Sequence, residues 1–286
     1  MDSSTFIQLT IHGLIISAAY ALLGIGFALI WRVSGIVNLL HGEVMFAGAV
    51  LASGIHGQIA PIGYVISLIA GVSVAFLLSF LIYRMVLSQL DNPIQEILFL
   101  LLLKALFALI GFEVILAPAI NPAWRIGQTP LTISQPQLAI SLIAVLALGV
   151  FLVVYYRFQI GRILRAVAEH SLAARFLGID VNRIKGIGFA IGVTLALVAG
   201  ILLSQLAYFG PGNVTAWTLK AFAIIALAGL RSIGSVIGGA VSVALLETYL
   251  VASMGTGSAQ VILLLLTGVL LLVRLPSLSL YLEKAV

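Results

Sequence analysis

The stretch TFIQLTIHGLIISAAYALLGIGFALI, Thr5–Ile30, decides the fold. It carries no Asp, Glu, Lys or Arg, and about 20 apolar residues in a helix suffice to cross a ~30 Å hydrocarbon core. No basic residue precedes Arg32, and the stretch is too long for the apolar part of a secretory leader, so it reads as a retained first span. The rest of the chain continues in kind. Of 286 residues, 62% are hydrophobic and 8% charged, where a soluble domain carries roughly 25% charged residues. The excess is spread along the whole length, so it does not describe a soluble domain on one anchor. A soluble enzyme, a nucleic-acid binder and a disordered scaffold are excluded. The expectation is an all-α, polytopic membrane bundle.

Further spans are predicted at Ile36–Ile55, Ile62–Tyr83, Ile94–Leu116, Leu138–Tyr156, Gly186–Ala207 and Ser258–Val273. The region Trp217–Val251 is too long for one ordinary span, and its middle, Ala228-Gly229-Leu230-Arg231-Ser232-Ile233-Gly234-Ser235, is rich in Gly and Ser. Two segments meeting near Arg231 are expected, one of them a half-helix. That makes eight full helices, or nine crossings if the broken segment near 217–231 counts. No loop is long enough for a separate soluble domain, so residues 1–286 are taken as a single transmembrane domain. The connections His56–Pro61 and Ala117–Pro136 fall on one side; the second holds Pro118, Pro122, Pro130 and Pro136 and suits an ordered loop without helix.

Net charge is +5, and the link 157–185 alone holds Arg157, Arg162, Arg165, Arg175, Arg183 and Lys185. Arg32 and Arg84 fall an even number of spans away, on the same side. Basic loops mark the cytoplasmic face, which puts the amino terminus outside. The chain has no cysteine, hence no disulfide, thiolate metal site or cysteine nucleophile. None of its four lysines ends a Gly-rich phosphate loop, and His-Glu-x-x-His and Gly-x-Ser-x-Gly are absent. No catalytic site and no metal site is expected.

Four features carry the remaining chemistry. Asn38-Leu39-Leu40-His41-Gly42-Glu43 places Asn, His and Glu at or inside the second span, where a lone charge costs on the order of 2.5–3.5 kcal/mol. These residues either line a path or form a hydrogen-bonded helix start with Asn38 as N-cap and Glu43 at the positive end of the dipole. Gly188, Gly192, Ala196 and Gly200 recur every four residues and let another helix approach closely; Gly234 and Gly238 repeat the spacing. In the link, Ile163, Leu164, Val167, Leu172, Phe176 and Leu177 alternate with charges at helical spacing, and Gly178 is placed to close the helix as its C′ residue. Such a helix docks into another protein, lies on headgroups, or is a solvated connector. Lys104 sits mid-span between Glu96 and Glu113, the latter about 13 Å away along the helix and out of reach. It either stands in a transport path, snorkels, or pairs with a carboxylate from another helix or chain.

The chain resembles the membrane permease subunits of ABC importers for branched-chain amino acids, in the smaller of two permease branches. Three motifs carry the resemblance: Gly35-Ile36-Val37-Asn38-Leu39-Leu40-His41-Gly42-Glu43; Gly161-Arg162 with Arg165-Ala166 and Leu177-Gly178-Ile179; and Ala221-Phe222 followed by Gly229-Leu230, Ser232-Ile233-Gly234 and Gly238-Gly239. The match covers nearly the whole length. It implies that Asn38, His41, Gly42 and Glu43 lie by the translocation path and that Arg231 belongs to a second broken segment beside it; Lys104 joins these path candidates through its mid-span charge alone. It also implies that 157–185 is a coupling segment meeting an ATPase through Arg162, Arg165, Glu169, Ala174, Leu177 and Gly178. The implied partners are a second, similar permease, two ABC ATPases that use the ATP, an extracytoplasmic substrate-binding protein, a small-molecule solute and membrane lipid, with no nucleic acid and no cofactor in this chain. The implied location is the bacterial or archaeal inner membrane. The implied solute is leucine, isoleucine or valine, with urea, short amides and other amino acids carried on the same framework. Gly35–Ser53 and Gly229–Glu247 share a weak small-residue repeat.

Two departures from the family pattern fall near the expected path. Leu100-Leu101-Leu102-Leu103-Lys104 stands where the family has Thr-Ile-Gly, and Arg231-Ser232-Ile233-Gly234 where it has Gly-Ser-Ile-Pro-Gly. Two rival classes remain at this point. One is an ion-coupled secondary transporter with Lys104, Glu43 and His41 as a relay. The other is a structural membrane subunit without a path.

Overall fold

The structure, a computed structural model, describes residues 3–55, 61–90, 92–109, 123–125, 132–204, 206, 213–229 and 232–285. In chain order the helices are α1 (Ser3–Ser34), α2 (His41–Ile55), α3 (Pro61–Met85), α4 (Pro93–Leu109), α5 (Gln135–Arg157), α6 (Gln159–Glu169), α7 (Ser171–Phe176), α8 (Val181–Leu203), α9 (Val214–Ala228), α10 (Ile233–Met254) and α11 (Thr256–Ala285). Among the described residues six helices are long and apolar enough to cross a membrane: those holding Ser3–Ser34, Leu68–Gln89, Gln137–Arg157, Val181–Leu203, Ile233–Met254 and Thr256–Val273. The protein is therefore a polytopic helical membrane protein. Helix α9, at 15 residues, is shorter and spans only about 22 Å at 1.5 Å per residue.

The expected span from Ile36 needs correcting: residues 35–38 are not helical and α2 begins only at His41. Gly35 follows the last residue of α1 with φ +80°, a left-handed conformation that stops the helix without penalty only for glycine. Asn38 is accordingly not an N-cap. Its Oδ1 accepts the Leu40 N–H at 3.1 Å, the local turn that Asn side chains make with the backbone two residues on. The other expected break is present, with α9 ending at Ala228 and α10 starting at Ile233. Ser232 caps α10 through a box with Ser235. Gly35 and Gly229 both follow helix ends with positive φ, and the next helix begins six positions after Gly35 and four after Gly229. Helix α8 begins five residues before the predicted span because Asp180 accepts the Arg183 N–H at 3.0 Å and caps it.

Of the Ala117–Pro136 connection, Ala123–Arg125 and Thr132–Ser134 pair as a short antiparallel hairpin, and α5 already starts at Gln135. The hairpin is the one departure from an all-α chain among the described residues.

Helix α1 is the axis of the bundle. Every residue from Ser17 to Ile30 is buried, as expected of a helix apolar all round. It packs on α8 along one side and on α10 along another, and α2 also lies on α8. Water is not the competitor in a bilayer, so these crossings depend on close backbone approach rather than on hydrophobic burial. The four-residue series on α8 supplies it. A Cβ at Gly26 would lie 2.6 Å from the Gly192 carbonyl oxygen, and a Cβ at Gly200 would collide with the backbone of Met45. Helices α3, α4, α5 and α11 instead turn Leu77, Leu98, Leu142 and Leu265 outward.

Gly192→Val is expected to force α1 and α8 apart, destabilising the fold by about 1–3 kcal/mol or more. Thermal melting of the detergent-solubilised protein, followed by size-exclusion chromatography, measures the loss; Gly149→Ala, where a Cβ meets nothing within 4 Å, serves as the neutral control.

Candidate functional site

Among the described residues, the ion pairs of the bundle form two centres. The first forms where α2 begins. His41 is fully buried, and its Nε2 lies 3.0 Å from the Leu23 carbonyl oxygen, while its Nδ1 lies 3.4 Å from Asn38 Nδ2. An amide nitrogen only donates and a carbonyl only accepts, so a neutral imidazole with its proton on Nε2 satisfies both contacts. The ring also meets the edge of Phe27, with centroids 5.4 Å apart. The Gly42 N–H, one of the first-turn donors a helix cannot pair internally, donates to Thr218 Oγ1 on α9 at 2.9 Å. A side chain at Gly42 would collide with the Val214 carbonyl, so α2 and α9 meet there backbone to backbone.

Glu43 follows in the same first turn, where the helix dipole favours a carboxylate. It is 5% exposed, and its Oε1 lies 2.8 Å from Lys104 Nζ on α4. The partner of Lys104 thus comes from another helix, and snorkelling is not its role. Glu43 Oε2 is buried with no hydrogen-bond partner among the described residues.

The second centre was not assigned any role from the sequence. Lys220 of α9 lies 2.7 Å from Glu247 Oε1 of α10 and donates to the Tyr20 hydroxyl of α1 at 3.1 Å. Tyr20 in turn donates to Glu247 Oε2 at 2.8 Å. The ammonium also stands 3.8 Å from the Trp217 ring centroid, a cation–π contact in a desolvated setting. Three helices are thereby tied by one closed network. Lys220 lines a cavity of about 250 Å³ between α9 and α11, together with Thr215, Leu219, Val261, Leu264 and Thr267. The available signal was two lone opposite charges in neighbouring apolar segments, each expensive there unless paired.

At one end of the bundle α6 and α7 form an elbow. Two helices replace the single one expected, because His170 leaves helical geometry and its Nδ1 accepts the Ala173 N–H, capping α7. Helix α6 buries Leu164 and Val167 against the bundle. Gly178 closes α7 as expected: its N–H bonds the Arg175 carbonyl and the Ile179 N–H bonds that of Ala174, with φ +78° at the glycine. Of the coupling candidates, Arg162, Glu169, Leu177 and Gly178 are exposed, whereas Ala174 is buried. Arg165 is turned back onto α5, where it donates to the Tyr155 carbonyl and lies over the Tyr155 and Tyr156 rings. The tip of the elbow is Phe176, 90% exposed, beside Leu177 at 80%. Arg231 and Glu113 lie outside the described residues. The path candidates that are described, Asn38, His41, Gly42, Glu43 and Lys104, come together around the α2 start; the coupling candidates stand apart from them on the elbow.

Among the described residues no group of three or more His, Asp or Glu is arranged to hold a metal ion. What the fold defines is a helical membrane protein with charges paired inside its bundle and an amphipathic elbow at one end. The family model for the branched-chain amino acid transport system permease component matches residues 9–275, and the chain belongs to that family. It is 28% identical over 278 residues to the high-affinity branched-chain amino acid transport system permease protein LivH of Salmonella typhimurium, covering 86% of this chain and 87% of that one. It is also 28% identical over 259 residues to the permease protein BraD of Pseudomonas aeruginosa, covering 82% and 83%. A probable permease protein LivH of Methanocaldococcus jannaschii is 33% identical over 119 residues, 40% of this chain and 38% of that one. No solved structure matches the chain.

If the Lys220 network ties α1, α9 and α10, Lys220→Met leaves the Glu247 carboxylate buried without its cation and lowers stability by about 3–5 kcal/mol. The double change Lys220→Met, Glu247→Leu is expected to recover most of that loss. Unfolding of the purified protein in detergent, read as a double-mutant cycle, tests the coupling.

Proposed function

We infer that the chain is the membrane-spanning permease subunit of an ATP-driven importer that moves a small solute across the bacterial or archaeal inner membrane. The observation that carries the reading is the elbow of α6 and α7. It is an amphipathic projection, anchored by Leu164, Val167 and the Arg165–Tyr155 contact, that holds Phe176 and Leu177 out at its tip. Two large exposed apolar side chains next to the exposed Arg175 fit a hydrophobic groove on another protein. A nucleotide-binding ATPase is that partner. Closure of an ATPase pair pushes the elbow, and α6 passes the movement to α1, α5 and α8, on which it packs.

The relatives are described as branched-chain amino acid permeases, and leucine, isoleucine or valine is the solute class proposed here. Asn38, His41, Gly42, Glu43 and Lys104 border the path at the junction of α2, α4 and α9. Both nitrogens of His41 are engaged locally, which makes it a positioning residue rather than a proton relay. The proposed assembly has this chain beside a second permease, two ATPases and an extracytoplasmic binding protein that selects the solute. The ATPases consume the ATP; this chain performs no chemistry.

Affinity purification of the tagged chain from its native membrane, followed by mass spectrometry, is expected to recover P-loop ATPases with it. Phe176→Asp is expected to reduce that recovery at least tenfold while the protein stays folded by size-exclusion chromatography. Full recovery of ATPases with the Asp variant contradicts the role given to the elbow.

A further inference from the structure

The two ion pairs of the bundle share one chemistry and differ in completeness. At Lys220–Glu247 both carboxylate oxygens are engaged, one by the ammonium and one by the Tyr20 hydroxyl. At Glu43–Lys104 only Oε1 is engaged. Oε2 is buried without a partner among the described residues, an expensive state for a carboxylate oxygen in a low-dielectric interior. The Lys104 side chain is 27% exposed. Its ammonium carries three N–H donors, one of them directed at Glu43 Oε1.

One turn along, the same two helices meet again. Phe46 and Phe107 pack edge to face with centroids 6.2 Å apart. Glu43 to Phe46 and Lys104 to Phe107 are both three positions, so α2 and α4 run in the same direction along this seam. The aromatic pair stands about 4.5 Å above the charged one. The seam thus presents an incomplete ion pair at one level and an apolar pair at the next.

We propose that this seam is a specificity-determining contact for the zwitterionic head of the solute, its ammonium on Glu43 Oε2 and its carboxylate on Lys104, with the aliphatic side chain against Phe46 and Phe107. The inference rests on the permease reading above and assigns it specific residues. An α-amino acid carries both charges on one carbon and lays its dipole antiparallel to the Glu–Lys pair. Four charges in two pairs then share the site with no net charge buried, which a carboxylate or an amine alone does not achieve. A neutral amide or urea brings no charge to either residue. The contact therefore favours amino acids over short amides.

The test uses the assembled importer, purified with its co-purifying subunits, in liposomes with ATP inside or outside as orientation requires, and radiolabelled leucine. If the unaltered importer shows no ATP-dependent leucine uptake, the permease reading itself fails, whatever the role of the seam. Given uptake, the double change Glu43→Leu, Lys104→Leu separates structure from recognition, because a buried ion pair is commonly replaced by apolar residues without loss of stability. The expected result is an assembled importer with leucine uptake reduced at least tenfold. An assembled importer with uptake within twofold of the unaltered one overturns the proposal.

A second measurement decides the case if the double variant does not assemble. The chain has no cysteine, so Phe107→Cys introduces a single thiol in it beside the seam. Saturating leucine is expected to slow its methanethiosulfonate labelling severalfold. Isovaleramide, the same aliphatic group without the zwitterion, is expected not to, and Glu43→Gln in the same background is expected to abolish the protection. Equal labelling with and without leucine overturns the proposal.

Discussion

A charge inside an apolar bundle has to be matched by an opposite charge, and this constraint organises the structure. Each unpaired ionisable side chain at bilayer depth costs on the order of 2.5–3.5 kcal/mol by insertion scales. Among the described residues two acids and two lysines pair inside the bundle, as Glu43–Lys104 and Lys220–Glu247. The first pair joins α2 to α4, and the second joins α9 to α10.

Backbone proximity is the second organising element. The long helices α1 and α8 are held through glycines, with Gly26 on one and Gly192 on the other nearly touching main chain to main chain. Helices α2 and α9 meet the same way, through Gly42, whose N–H is taken by Thr218. Helix α1 is thereby packed between α8 and α10, and α4 is joined to the bundle through the Glu43 pair, the Phe46–Phe107 contact and the buried Leu100, which packs with Tyr83 and Phe189.

Much of the fold was legible from residue type and spacing alone. Apolar run length located the spans, the four-residue glycine series located the α8 crossing, and Gly178 was rightly placed as the residue closing α7. What failed has physical reasons. Ile36, Val37, Leu39 and Leu40 are as apolar as any span, so hydropathy continued the helix through Gly35–Leu40, where the left-handed glycine and the Asn38 turn stop it. Pairing across helices is invisible to a single sequence. For Lys104 a carboxylate from another helix or chain was one of three readings, and the partner is Glu43, 61 positions away. The Tyr20–Lys220–Glu247 network joins three helices with no local signature beyond the isolated charges. The contact of Arg165, a coupling candidate, with the Tyr155 carbonyl of α5 likewise had no local signature.

The central claim, that ATP hydrolysed by partner subunits drives solute through this chain, is tested most directly by comparing two energy sources in one preparation. Proteoliposomes carrying the chain with its co-purifying subunits should accumulate leucine when ATP is supplied to the ATPase side, and show no accumulation from a proton or sodium gradient alone. Accumulation driven by an ion gradient without ATP, by the purified chain alone, would contradict the account and make it a self-sufficient secondary transporter.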